Sequence, residues 1–283
     1  MSDERQVKVS YDVSNEFFRL ILDETMTYSC ALFDHVGEPL ATAQRRKLAW
    51  LADAAAVERG TRVLDIGCGW GGVLAYLVED RGVREAHGIT LSTAQYEHCA
   101  ELRIPGAKVE LVSYLDYAPE EPFDAAISVG MLEHVATPQQ SRSGVSIDVY
   151  RDYFKRVHRW TRPGARFALQ TVMRERLPRG ADLVDLAWVG REIFPGAISP
   201  RLEELVVAMS PYWELVELFT RRTHYAQTCR AWRERLIERE SVVRERFGGE
   251  LFERYERYLR VAATSFDQGY ATLGQLRLRR KDT

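Results

Sequence analysis

An α/β fold, a seven-stranded sheet with helices on both faces, is predicted by three observations. From Arg62 onward short apolar runs alternate with amphipathic segments, the rhythm of a mostly parallel sheet. The first run ends in a cluster of glycines, where a strand turns tightly into a helix. Past residue 200 two further strand-like runs stand far apart, with a long helical tract between them.

The elements follow in order. Residues 1–60 read as mainly helical. RVLDI (62–66) is the first strand and VLAYLVED (73–80) the helix after it. EAHGI (85–89) is a second strand, and STAQYEHCAELR (92–103) a helix opened by Ser92 as N-cap. KVELV (108–112) and FDAAISV (123–129) are strands three and four. A helix at 147–161 stops before Pro163–Gly164, and RFALQTV (166–172) is strand five. LEELVVAMS (202–210) is helical, YWELVELFT (212–220) alternates as a strand does, and LGQLRLRR (273–280) is the last strand. The intervening helices break near Gly248–Gly249. Together with the N-terminal helices they are placed to roof the C-terminal edge of the sheet, where open α/β folds bind ligands.

Composition narrows the function. With 283 residues, 46% of them hydrophobic, the chain can bury a substantial core. Its net charge of −2 and pI near 6.3 argue against a nucleic-acid partner. In CRAWRERLIERESVVRERF (229–247) Arg and Glu intermix at helical spacing, as on a solvated helix face. Cys30, Cys68, Cys99 and Cys229 are widely spaced with no CxxC pair, so neither disulfides nor a metal site is expected, and the location expected is cytoplasmic. MSDERQVKVS has no apolar core of a secretory signal, and no apolar run approaches the ~20 residues of a membrane span.

RVLDIGCGWGG places Gly67, Gly69 and Gly71 where the first strand becomes a helix, so a ligand can approach bare backbone. Dinucleotide enzymes and S-adenosylmethionine enzymes both use such a loop. Asp65 just before the first glycine would crowd a pyrophosphate but suits a cationic sulfonium amino acid. A nicotinamide fingerprint also wants an acid about 20 residues on, where this chain has His87-Gly88-Ile89-Thr90. S-adenosylmethionine is the favoured ligand. A second stretch, TYSCALF (27–33), sets Tyr28, Ser29 and Cys30 inside an apolar run, either lining a site or merely packed.

These segments resemble the cyclopropane-fatty-acid synthase family, which includes the mycolic acid cyclopropane synthases. The likeness is carried by YDVSNEFFRLILDETMTYSCALF (11–33), VLDIGCGWGG (63–72), GITLSTAQ (88–95), GMLEHV (130–135), IFPGA (193–197), HYAQT (224–228) and FERYERYLRVAATSFDQGY (252–270). It implies a Rossmann-like class I methyltransferase sheet in one domain. Residues 1–60 would be a helical cap, 61–173 the cofactor-binding core, 174–272 the remaining core with substrate-side helical insertions, and 273–283 the last strand. The resemblance also implies that Tyr28, Ser29, Gly67, Gly69, Thr90 and Gln95 contact S-adenosylmethionine. Cys30, Glu133 and Tyr225 would face the reaction centre and help hold bicarbonate as the general base. The reaction implied is transfer of a methyl or methylene group to an alkene of a lipid or lipid-like substrate. An N-, O- or C-methyltransferase of a small secondary metabolite is the alternative. Three carriers fit the acceptor equally, free, phospholipid-borne or held on a carrier protein, with peripheral membrane contact allowed and oligomeric state left open.

One residue departs from the family pattern. Where the resemblance leads one to expect histidine, strand five carries Gln170, which donates hydrogen bonds but cannot become a cation. Either bicarbonate binds more weakly or the product differs. The stretch 137–149 is longer and the stretch between Thr171 and Ile193 shorter than their counterparts, and both are expected to flank the substrate mouth. Tyr11, Phe17, Phe18, Tyr28, Trp188 and Tyr225 are aromatic candidates for steadying a carbocation, with Tyr28 and Tyr225 preferred.

Overall fold

A computed structural model of the chain describes residues 14–282. Seven strands form one sheet: β1 (Arg62–Ile66), β2 (Glu85–Thr90), β3 (Ala107–Leu111), β4 (Phe123–Val129), β5 (Thr161–Arg174), β6 (Trp213–Thr220) and β7 (Ala271–Arg280). Their order is β3-β2-β1-β4-β5-β7-β6. The first five run parallel, and β7 lies antiparallel between β5 and β6. Strand order reverses beside β1, whose neighbours are β2 and β4, so the crevice of this sheet opens at the C-terminal ends of β1 and β4.

Each of β1's residues is buried, as a strand covered on both faces requires. Helices α1 (Asn15–Ile21), α2 (Leu40–Ala54), α3 (Gly72–Glu79) and α4 (Thr93–Leu102) come from the first third of the chain. On one face α2 and α3 pack Leu48, Leu51, Leu74 and Leu77 against Val63, Ile127 and Ala168. Next in chain order come α5 (Pro138–Arg142), α6 (Ser146–Arg159), α7 (Gly180–Glu192) and α8 (Leu202–Met209); on the other face α6 and α8 supply Tyr153, Phe154 and Leu205 to a cluster with Phe167 and Trp213. A third cluster joins α1 to α9 (Arg222–Glu238), α10 (Glu240–Phe247) and α11 (Gly249–Asp267), through Phe17, Phe18, Trp232, Val243, Tyr255 and Leu259. This is the roof expected over the crevice. Its arginines are paired as a solvated face would have them, Arg233 with Glu256 and Arg244 with Glu240 and Glu253.

Ser92 caps α4 by accepting a hydrogen bond from the Gln95 N–H at 3.2 Å. Two readings change. Strand five starts at Thr161 rather than Arg166, because a register shift between Phe123 and Ala125 takes up the segment around Pro163, which has no N–H to give a ladder. Helix α7 escaped the sequence reading. None of its residues is buried, so no apolar stripe marked its period. Tyr11 lies outside the described residues. Among those residues no helix is long and apolar enough to cross a membrane.

Gly88 sits mid-strand under the glycine loop. A Cβ there would lie 2.7 Å from the Cys68 Sγ and 2.8 Å from Leu74 Cδ1. Gly88→Ala is therefore expected to destabilise the protein by about 1–3 kcal/mol through overpacking, measured by urea or thermal unfolding. An unchanged midpoint would mean that the loop shifts without cost.

Candidate active site

The crevice holds a cavity of about 130 Å³ at the ends of β1, β2 and β4. Tyr28, Ser29, Asp65, Gly67, Gly69, Thr90 and Gln95, the residues singled out from the sequence, all line it. Gly67, Gly69 and Gly71 have φ of +82°, +56° and +84°, the left-handed region that lets the loop double back beneath the start of α3. Thr90 accepts from the Ser92 N–H at 3.2 Å and donates to Gln95 Oε1 at 2.8 Å, which leaves the Gln95 amide nitrogen as a donor. That end of the cavity is neutral.

The other end is charged. Asp65 is 1% exposed, and neither carboxylate oxygen has a hydrogen-bond partner among the described residues. Burial raises its pKa to about 7, with nearby Lys47 opposing the rise. Lys47 lines the same cavity, fully buried, and donates to Ser29 Oγ at 3.1 Å. Burial lowers its pKa to about 8. One turn earlier on α2, Gln44 donates to the carbonyls of Thr27 (3.1 Å) and Ser29 (2.9 Å). Neither residue was singled out from sequence. The available signal was two polar residues, Gln44 and Lys47, on the same buried helical stripe as Leu40, Ala43, Leu48 and Leu51. An unpartnered carboxylate, a buried cation and a backbone loop left bare by glycines fit a zwitterionic, cationic donor better than a pyrophosphate.

A second cavity of about 270 Å³ adjoins the first. The two share Tyr28, Ser29, Gly130 and His134 as a common wall. The second is mostly apolar, enclosed by Val172, by Leu186 and Val189 of α7, by Phe194 and by Tyr258 and Phe266 of α11. Glu133 and Tyr225 line it too. Glu133 Oε1 accepts from the Val172 N–H at 2.5 Å, while Oε2 is buried without a hydrogen-bond partner among the described residues. Burial pushes the carboxyl up to about 7, against the pull of that N–H. Tyr225 stacks on Phe266, ring centroids 4.4 Å apart at 20°. His134, not singled out beforehand, is held near pKa 4 by burial and so stays neutral at pH 7.

Two expected residues stand back from both cavities. Cys30 is fully buried, its Sγ donates to the Ala31 carbonyl at 3.2 Å, and burial pushes the thiol up to about 12. It lines neither cavity, contrary to expectation, because the chain bends at Ser29 and the thiol turns to the Ala31 carbonyl. Gln170, 1% exposed, is likewise absent from both walls. Its Oε1 accepts from Gln275 Nε2 at 2.8 Å, and Gln275 Oε1 accepts from Arg221 Nε at 3.1 Å. A guanidinium can only donate, so this chain fixes both amides and leaves Gln170 with N–H groups to offer.

Other expectations change. Trp188 lies under the Arg257 guanidinium at 4.2 Å and lines neither cavity. Phe17 and Phe18 belong to the roof's core. Residues 137–149 do not reach the second cavity; instead Ser141 accepts from Arg174 at 2.8 Å and Ser146 donates to Glu204 at 2.6 Å, fastening that segment to β5 and α8. The stretch between Thr171 and Ile193 does border the cavity, through Val172, Leu186, Val189 and Gly190.

Residues 1–276 match the family described as mycolic acid cyclopropane synthetase. Tuberculostearic acid methyltransferase UfaA1 of Mycobacterium tuberculosis is 34% identical over 98% of this chain, which spans 65% of that relative's length. Cyclopropane mycolic acid synthase MmaA2 of the same organism is 31% identical, over 96% of both chains. Its solved structure superposes with a TM-score of 0.89 at 30% identity, covering 98% of each chain. Mycolic acid cyclopropane synthase CmaA1, solved with SAH and CTAB, also gives 0.89, at 28% identity and 99% coverage of each.

Asp65 carries a stability signature. Its folded pKa stands near 7, above the ordinary carboxylate range, so between about pH 4 and 7 the folded state holds the extra proton and stability falls as pH rises. Without ligand, Asp65→Asn is expected to melt a few degrees higher than the parent chain at pH 7–8, with the gain vanishing near pH 4. Melting curves that coincide at every pH would contradict the burial of an uncompensated charge.

Proposed function

The chain belongs to the mycolic acid cyclopropane synthetase family, and from that premise we propose that it transfers a methyl or methylene group from S-adenosylmethionine to a carbon–carbon double bond of a lipid or lipid-like substrate. One observation carries the reading. A polar cavity suited to the donor and an apolar one suited to a hydrocarbon chain meet at a thin wall made of Tyr28, Ser29, Gly130 and His134.

Bound in the first cavity, S-adenosylmethionine supplies an electrophilic methyl group. The chain's own residues do the rest. Thr90 and Gln95 suit the polar edge of a nucleoside, while Asp65 answers positive charge. Val172, Val189 and Phe194 hold an alkyl chain out of water, which lets a weak nucleophile be aligned rather than activated. Positive charge then develops on the acceptor carbons. The rings of Tyr28 and Tyr225 border that space and contribute about 0.5–2 kcal/mol each where they face the cation. Neutral His134 adds no repelling charge. Glu133 Oε2, buried and unpartnered, is the proton acceptor the chamber itself provides. Glu133 and Tyr225 would be the groups to hold bicarbonate, which would serve as a base. In this reading the four buried free cysteines suit a reducing cytoplasm, and the acyl chain arrives from a carrier or a membrane surface past α7.

Glu133→Gln is expected to abolish transfer of labelled methyl into lipid while leaving S-adenosylhomocysteine affinity within about threefold, by activity assay and calorimetry. The parent enzyme's turnover should fall as pH drops through about 7, where the carboxyl takes up its proton. Parent-like rates in the variant would remove Glu133 from the chemistry.

A further inference from the structure

Two buried charges of opposite sign face the donor cavity, and no salt bridge between them is present among the described residues. Asp65 projects from the end of β1 with both oxygens unpartnered, and Lys47 enters from α2. Lys47 is 0% exposed. An ammonium has three hydrogens to donate, and the structure shows one donated to a protein partner, Ser29 Oγ at 3.1 Å. The charged groups around it are Asp23, Cys30 and Asp65. Of these, Asp23 is occupied in its own turn, accepting from the Thr25 N–H and hydroxyl and from the Thr27 N–H, and Cys30 remains a thiol. A leucine or methionine would suit this apolar stripe of α2 better than a desolvated cation, so a ligand is the natural reason for the charge.

Position identifies which part of a ligand it meets. Thr90, Gln95, Val112 and Tyr114 lie at the β2 and β3 end of the cavity, and the wall toward the acceptor lies at Tyr28, Gly130 and His134. A donor with its nucleoside at the first and its sulfur at the second leaves its amino-acid tail between Asp65 and Lys47. We propose that Lys47 binds the carboxylate of the donor's methionine moiety while Asp65 takes the ammonium, so that the cavity recognises the tail as a zwitterion. The Lys47 ammonium also donates to Ser29 Oγ, and so couples an occupied tail site to the wall facing the acceptor. The proposal rests on the S-adenosylmethionine reading and adds a residue to it.

Calorimetric titration of S-adenosylhomocysteine and of its decarboxylated analogue, S-adenosyl-3-thiopropylamine, tests it. The parent chain should prefer the intact ligand. Lys47→Met, which keeps the stripe apolar and should fold at least as stably, is expected to weaken S-adenosylhomocysteine roughly ten- to hundredfold, as for loss of a charged hydrogen bond, and the analogue less than about threefold. Lys47→Arg should restore part of the discrimination. Equal weakening of both ligands would make Lys47 a mere support for Ser29, and undiminished binding of S-adenosylhomocysteine to the methionine variant would equally overturn the proposal. A parent chain that binds neither ligand would remove the donor reading itself and this proposal with it.

Discussion

The site depends on one set of hydrogen bonds, those that hold residues 27–33 in place without a sheet or helix to do so. A buried irregular segment must find partners for its peptide groups elsewhere. Gln44 reaches the carbonyls of Thr27 and Ser29 from one side. From the other, α9 offers the Thr228 hydroxyl to the Ala31 N–H at 3.0 Å and the His224 ring to the Phe33 N–H at 3.1 Å. Clamped in this way, the strip turns Tyr28 and Ser29 toward both cavities. Release of the clamp would merge the polar and apolar chambers, and water would reach a place where positive charge on carbon has to survive.

Much of the sheet was legible because buried parallel strands read as unbroken apolar runs. RVLDI and FDAAISV are examples, and Asp65 stands out in the first because a carboxylate has no structural business there. The glycine loop was legible for a different reason: its three left-handed residues admit little else. The reaction chamber was not derivable from spacing. Tyr28, Glu133 and Tyr225 are far apart in the chain and meet only because the roof folds back over β1 and β4, so the resemblance supplied them. Lys47 and Gln44 were hidden by a helix whose period looked like ordinary core packing. Cys30 misled in the opposite direction. Its polar neighbours made it look like a site residue, whereas its thiol is turned to the Ala31 carbonyl, behind both cavity walls.

The polar groups in and behind the wall of the second cavity carry little positive charge. Burial keeps His134 neutral, and Gln170 stands where the resemblance leads one to expect histidine. Arg221 is kept one amide further away, donating to Gln275, whose orientation it fixes. In the proposed reaction, a chamber of neutral donors, aromatic rings and one carboxyl, Glu133, would let charge appear on an alkene without repelling it. In that reaction the final proton would pass to Glu133 or to a base beside it. That proton decides between a cyclopropane and a methyl-branched or methylene product.

The most direct measurement is a crystal structure with S-adenosylhomocysteine bound. The sulfur is expected to lie against the wall of Tyr28, Gly130 and His134, looking toward Glu133, with the adenosine toward Thr90 and Tyr114. A sulfur turned toward solvent, or an adenine occupying that wall, would contradict that placement.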